Sequence, residues 1–183
     1  SSVLAARMVG AKPGQTVLDA CAAPGGKTSQ LAAALAGHGV LLANEFVAVR
    51  AEVLRQNLER MGVTNAIVTN EDTARLAAAY PGQFDRILVD APCSGLGILA
   101  KKPDIRYKSL PKARHDELLA TQSAILDTAA AHLKPGGRLV YSTCTILRRE
   151  NEDVVRAFLA AHPEFAPAPW SPVSYTHLRA HET

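Results

Sequence analysis

Residues 17–28 read VLDACAAPGGKT, and no other stretch restricts the fold so much. Three strand-like residues end in a carboxylate (Val17, Leu18, Asp19). A run of small residues with one proline and two adjacent glycines follows, and Lys27 then opens an amphipathic helix. This is a strand, a tight loop and a helix N-terminus. Small residues let a ligand approach the backbone closely, and the free amides and dipole of a helix's first turn favour an electron-rich group. In an open α/β sheet this crevice lies at the carboxyl ends of the strands, where ligands bind. The loop is not a standard phosphate loop. Gly26-Lys27-Thr28 fits the end of Gly-x-x-x-x-Gly-Lys-Ser/Thr, but Cys21 stands where the first glycine belongs, and Gly-x-Gly-x-x-Gly is absent. A nucleotide-type or nucleoside-type ligand and a merely structural turn both stay open here.

The pattern continues as alternating elements. A short helix at residues 1–10 precedes the Lys12-Pro13-Gly14 turn, and the first strand is followed by a helix over 28–35. Val40 to Ala43 is a second apolar strand, and Val47, Ala51, Leu54, Leu58 and Met61 recur at helical spacing up to Gly62. Strands at 66–69 and 84–89 follow, then a helix over 115–133, a fifth strand over 138–142 launched by Lys134-Pro135-Gly136-Gly137, and a last helix at about 150–161. Strands alternating with helices predict a Rossmann-like, doubly wound, mainly parallel sheet. Four successive strands finish beside acids: Asp19, Glu45, Asp72 and Asp90. One such acid is ordinary capping. Four on the ligand-binding side are harder to assign to capping alone.

At 183 residues the chain is long enough for one domain with a sizeable core, and its formal charge of +3 permits RNA without indicating it. There is no apolar run of membrane-spanning length and no signal-peptide pattern, so a cytoplasmic location with no membrane partner is expected. Three cysteines without Cys-x-x-Cys or a Cys/His ligand spacing argue against a disulfide framework and against structural zinc. The ends are set apart. Residues 173–183 (VSYTHLRAHET) look like a translated sequencing adapter, and the chain starts on Ser1-Ser2 without Met, so a domain over 1–172 that is an internal piece of a longer protein, cut at both ends, is expected.

Two thiols carry the chemistry. Cys93 lies in Asp90-Ala91-Pro92-Cys93-Ser94-Gly95 just past the fourth strand, and Cys144 in Ser142-Thr143-Cys144-Thr145 just past the fifth. If those strands are neighbours, both face the crevice beside the first loop. A buried free cysteine often serves only as a small hydrophobe. That reading is preferred for Cys21 and disfavoured for Cys93 and Cys144, which sit in polar, Pro/Gly-bounded loops.

CAAPGGKT, DAPCSG and YSTCT, in this order and at this spacing, resemble the motifs of the Sun/Fmu-type bacterial ribosomal RNA cytosine-C5 methyltransferases, over nearly all of residues 1–165. The resemblance implies S-adenosyl-L-methionine as cofactor and RNA, most readily 16S ribosomal RNA, as partner of a monomeric enzyme, and it implies that residues 1–172 are the catalytic domain with the last strands of its sheet missing. It assigns Cys21, Ala22, Ala23, Pro24, Gly25, Gly26 and Lys27 to the cofactor loop. Glu45 falls to the ribose hydroxyls, Asp72 to the adenine side, and Asp90 to the junction of cofactor and substrate. Carboxylates suit these tasks, because they accept hydrogen bonds from a vicinal diol and complement a sulfonium. The resemblance makes Cys144 the nucleophile that adds to carbon 6 of cytosine, and Cys93 the helper of product release. Carbon 5 is unreactive until that addition turns the ring into an enamine, so the thiol must be activated. Lys101, Lys102, Arg106, Lys108 and Arg148, with Lys112, Arg114 and Arg149, read as a group of phosphate contacts around the catalytic loops, and Tyr107 either stacks on a base or packs under the loop. Transfer RNA methylation by the same chemistry, a P-loop-like nucleotide module and a non-catalytic RNA-binding fragment remain as alternatives.

Overall fold

The computed structural model describes residues 2–80, 82–98, 111–168 and 178–180. In chain order the elements are α1 (Ser2–Val9), β1 (Thr16–Asp19), α2 (Thr28–Ala34), β2 (Val40–Asn44), α3 (Ala48–Arg60), β3 (Ala66–Thr69), α4 (Thr73–Ala79) and β4 (Phe84–Asp90). They continue with α5 (Lys112–His132), β5 (Leu133–Ser142), α6 (Glu152–Ala161), β6 (Phe165–Pro167) and β7 (Leu178–Ala180). The strand order is β3-β2-β1-β4-β5-β7-β6, and β1 to β5 are all parallel.

The central strands are apolar on both faces because both faces are covered. Val17, Leu41, Leu88 and Val140 point toward α1 and α2, against Met8, Val9, Leu31 and Leu35. Their neighbours Leu18, Leu42, Ile87 and Leu139 point toward α4, α5 and α6, against Leu76, Leu126, Val154 and Phe158. The period of two thus divides one sheet between two cores. At seven residues α2 is too short to persist by itself. Complete burial of Leu31 and Leu35 holds it.

Three differences from the sequence expectations have local causes. α4 is a helix that the spacing does not announce, since Leu76 is its one described core side chain. β5 begins at Leu133, before the Lys-Pro-Gly-Gly turn, because Leu133 already pairs with Phe84. The turn becomes an irregularity inside the ladder, which resumes at Arg86↔Arg138. The expectation that the sheet lacks strands after β5 gives way to two short ones: Leu178–Ala180 pairs antiparallel with β5 at Arg138 and Leu139 and with β6 along Phe165–Pro167. β7 falls within the 173–183 segment.

The order reverses between β1 and β4, the position at which open α/β sheets bind ligands. Asp19 ends β1 opposite Ala43 of β2 and Leu88 of β4, and Asp90 ends β4 opposite Ser142 of β5. All the strand-end acids therefore lie on one edge.

Candidate active site

A cavity of about 250 Å³ opens at that reversal, lined by Asp19, Cys21, Ala22, Ala23, Pro24, Gly26, Lys27 and Asp90. The loop is shaped from the side by α3. Arg50 donates to the carbonyl of Ala23 at 3.1 Å and Asn57 to that of Pro24 at 2.9 Å. Gly25, at φ +105°, packs so closely that a Cβ there would stand 3.1 Å from Cδ1 of Leu54. Residue 25 is glycine for both reasons. Part of the donor set of the first turn is already used. Ser29 N–H donates to Gly25 O, and those of Gln30 and Leu31 donate to Lys27 O, so these groups are already used. What the loop offers a ligand is close approach and the Lys27 side chain.

Asp19 is a lining residue that motif reasoning leaves out of the site. Its side chain is buried, Oδ2 accepts the Thr28 hydroxyl at 2.8 Å, and Oδ1 has no hydrogen-bond partner within normal geometry among the described residues. Burial, with the nearby Asp90 charge adding to it, pushes its carboxyl up to about 7 against the pull of Thr28 and Lys27. An unpartnered buried carboxylate oxygen beside a cavity is a place for a donor. Burial likewise pushes the Cys21 thiol up to about 12, which makes it an inert wall.

Lys27 and Asp90 form a hydrogen-bonded ion pair across the cavity, and the other Asp90 oxygen accepts the Ser142 hydroxyl at 2.7 Å. Glu45 is buried one residue beyond β2. It accepts the Val47 N–H at 3.0 Å and faces Arg50 at 3.4 Å. Asn70 donates to the carbonyls of Glu45 and Phe46 at 2.7 and 2.8 Å, tying the ends of β2 and β3 together. Asp72 is exposed on that adjoining edge, where its carbonyl accepts the amides of Arg75 and Leu76 at the start of α4.

Because β4 and β5 pair, Cys93 and Cys144 meet: their sulfurs are 2.9 Å apart, and the Cys144 N–H donates to Cys93 Sγ at 3.2 Å. Both are free thiols, Cys144 exposed and Cys93 half-buried. The Cys144 carbonyl accepts the Gly97 N–H at 2.9 Å, and a Cβ on Gly97 would stand 2.8 Å from that oxygen, so the loops require glycine there. A hydrogen bond from Cys93 lowers the Cys144 thiol to about 7 against the effect of burial, with Asp90 opposing and Lys27 assisting. The same hydrogen bond, and then burial, raises Cys93 far above the thiol range. Of the two, Cys144 is the more readily ionised.

A model of the 16S rRNA methyltransferase RsmB/F family matches residues 6–181. The chain belongs to that family. Its RsmB/F relatives include ribosomal RNA small subunit methyltransferase F of Salmonella paratyphi A, 50% identical over 140 residues, which make up 76% of this chain and 29% of that protein. A methyltransferase homolog protein from Pyrococcus horikoshii superposes with a TM-score of 0.76 at 35% identity, over 94% of this chain and 53% of that one. NSun6 from Pyrococcus horikoshii, solved with SFG, gives 0.87 at 26% identity over 100% and 52%. The RsmB/F family is one of S-adenosylmethionine-dependent methyltransferases. The chain spans less than a third of the length of its curated RsmB/F relatives.

Of the expected RNA contacts, Arg148 is exposed and stands 3.5 Å from Asp153, Lys112 and Arg114 are exposed, and Arg149 reaches His115 at 3.4 Å. Lys101, Lys102, Arg106, Tyr107 and Lys108 lie outside the described residues. Among the described residues no group of His, Cys, Asp and Glu is arranged to hold a metal ion, and no helix is long and apolar enough to cross a membrane.

Proposed function

We propose that this chain carries the catalytic domain, residues 1–172, of an enzyme that methylates carbon 5 of a cytosine in 16S ribosomal RNA, using S-adenosylmethionine and a covalent cysteine–cytosine intermediate. The observation that carries the reading is the contact between Cys93 and Cys144 beside the Lys27–Asp90 pair. The naming of relatives as small-subunit ribosomal RNA methyltransferases supports the substrate. A neighbour solved with SFG, an analogue of S-adenosylmethionine, supports the cofactor.

The cavity suits that cofactor chemically. Asp19 offers an oxygen without a partner among the described residues to a cationic donor, and the Cys21–Lys27 backbone permits close approach; Glu45 and Asp72, which follow the neighbouring strands outside the cavity lining, are the carboxylates for the nucleoside end. When bound, S-adenosylmethionine supplies an electrophilic methyl group. Cys144 thiolate adds to carbon 6, and the electron pair of the 5,6 double bond makes carbon 5 nucleophilic, so that carbon 5 would bond to that methyl group as the methyl–sulfonium bond breaks. Asp90 steadies the ring by accepting from its amino edge. Once Cys144 sulfur is bonded to carbon, it is no longer the anion that held the Cys93 proton. Cys93 then ionises to solvent, takes the proton from carbon 5, and the carbon–sulfur bond breaks with its electrons returning to Cys144. Arg148, Lys112 and Arg114 contact phosphates, with Lys101, Lys102, Arg106 and Lys108 from the adjoining segment. We read the protein as a cytoplasmic monomer.

The test is transfer of labelled methyl from S-adenosylmethionine to 16S ribosomal RNA, small ribosomal subunits and transfer RNA, with digestion to nucleosides. Label in 5-methylcytidine from 16S ribosomal RNA, free or in subunits, is expected. Label confined to transfer RNA would overturn the substrate, and label in any other nucleoside the reaction.

A further inference from the structure

Behind the two thiols lies a buried polar assembly that the bond-making steps do not use. Glu150 has no exposed surface, and a buried carboxylate is tolerated only when its oxygens are satisfied. Here Oε2 accepts the Ser94 N–H at 2.9 Å and the Gln122 amide at 2.9 Å, and Oε1 lies 3.3 Å from His115 Nε2. Burial pushes the Glu150 carboxyl up, but hydrogen bonds from Ser94 and Gln122 and the neighbouring His115 bring it below the usual carboxylate range. It is therefore an anion accepting charge-assisted bonds, the strongest kind available inside a protein.

These bonds have a common object. Gln122 also donates to the carbonyl of Pro92 at 2.9 Å. Glu150 thus holds Cys93 from both sides, through the amide of the following residue and, by way of Gln122, the carbonyl of the preceding one. Asn151 does the same for Cys144. Its Oδ1 accepts the Thr143 hydroxyl at 2.6 Å, and its Nδ2 donates to the carbonyls of Thr145 at 3.3 Å and Leu147 at 2.9 Å. The pair is itself anchored, because the Tyr141 hydroxyl donates to the Glu150 carbonyl at 2.9 Å. The two loops are stitched to each other by the Ser94 and Thr145 hydroxyls at 2.8 Å.

We propose that Glu150 and Asn151 are positioning residues, one prong for each cysteine loop, which fix the Cys93–Cys144 spacing and thereby the reactivity of Cys144. This rests on the reading of Cys144 as the nucleophile. A hydrogen bond weakens steeply with distance and angle, so the activation that Cys93 gives Cys144 depends on loops held to within a fraction of an ångström. Strand pairing alone does not fix that spacing, and the direct contacts between the loops, from Ser94 to Thr145 and from the Gly97 N–H to the Cys144 carbonyl, need loops already held in place. Adjacent residues of one rigid turn, gripping one loop each, supply that hold.

The readout is the pH midpoint of Cys144 alkylation by iodoacetamide, followed by peptide mass spectrometry. In the unmodified chain it is expected at about 7. In Glu150→Ala and in Gln122→Met it should rise toward the ordinary thiol value of about 8.5, which lowers alkylation at pH 7 roughly tenfold. Asn151→Ala should move it in the same direction. Glu150→Gln, whose amide oxygen still accepts from Ser94 and Gln122, should keep most of the activation. In a Cys93→Ala background the midpoint should already be high, and adding Glu150→Ala should move it no further. A folded Gln122→Met or Glu150→Ala chain that still titrates at about 7, or an equal shift without Cys93, would overturn the proposal. If Glu150→Ala does not fold, Gln122→Met decides. Covalent capture of 5-fluorocytosine RNA by the unmodified chain is scored separately. Expected alkylation shifts without capture would reject the nucleophile and keep the positioning; capture with unmoved midpoints would do the reverse.

Discussion

Cys93 and Cys144 share a hydrogen bond between their sulfurs across 2.9 Å, although the two residues are 51 positions apart in the chain. The contact lowers the Cys144 thiol toward neutrality and raises that of Cys93, so the two thiols differ in readiness to ionise before any substrate arrives. Pairing of Asp90 with Ser142 at the ends of β4 and β5 brings the following loops side by side.

One consequence is a pH dependence. The reactive form of Cys144 is the anion, and its thiol is lowered to about 7, so the rate of methyl transfer under single-turnover conditions should rise with pH and level off above neutrality. Cys93→Ala should displace the midpoint for Cys144 addition upward, toward about 8.5. Unchanged midpoints in the variant would show that Cys93 is not what activates Cys144.

Asp19 gives an opposite dependence, read in stability. Its carboxyl titrates near 3.8 when unfolded and about 7 in the fold. Between those values the folded state binds more protons, so stability falls as pH rises through the window. Asp19→Asn should raise the urea midpoint at pH 8 and leave it nearly the same at pH 4, while weakening S-adenosylmethionine binding by calorimetry. No gain at pH 8 would mean that the buried charge carries no cost.

Much of this arrangement is legible in the sequence. Strand ends are marked by Asp19, Asn44-Glu45 and Asp90 because apolar runs stop there, and the motif order places both cysteines on one edge. What is not legible is what depends on side chains from distant elements. Arg50 and Asn57 read as polar faces of a helix until α3 is seen to hold the cofactor loop. Glu150 reads as an ordinary acid at a helix start, yet it is buried with Ser94, Gln122 and His115, residues 28 to 56 positions away. Two amides of the first turn, those of Ser29 and Gln30, are taken by the Gly25 and Lys27 carbonyls, a detail of loop geometry that composition does not reveal.

The acid row should divide under mutation. Glu45→Ala removes a buried carboxylate that also orients Val47 and Arg50, and a charge-assisted hydrogen bond is worth about 1.5–3 kcal/mol, so S-adenosylmethionine affinity should fall roughly tenfold or more. Asp72→Ala, at an exposed position, should cost less. Calorimetry with both variants checks this, and equal affinity in both and in the parent would remove the acids from the cofactor site.

Deleting residues 173–183 should leave cofactor affinity unchanged. Among the described residues β7 pairs with β5 at Arg138 and Leu139, before the strand reaches Ser142 at the cavity edge. A loss of affinity on deletion would place the segment within the functional domain, and the change in denaturant midpoint measures what β7 adds to the sheet edge.

The most direct test of covalent catalysis is a denaturing gel of protein with ribosomal RNA and S-adenosylmethionine. Cys144→Ala should form no adduct, even with RNA containing 5-fluorocytosine, because nothing adds to carbon 6. Cys93→Ala should add and methylate but fail to release, so a covalent protein–RNA band should accumulate with ordinary RNA. A band with Cys144→Ala and none with Cys93→Ala would contradict the assignment of roles, and no band with any variant of a methylating enzyme would contradict the covalent route.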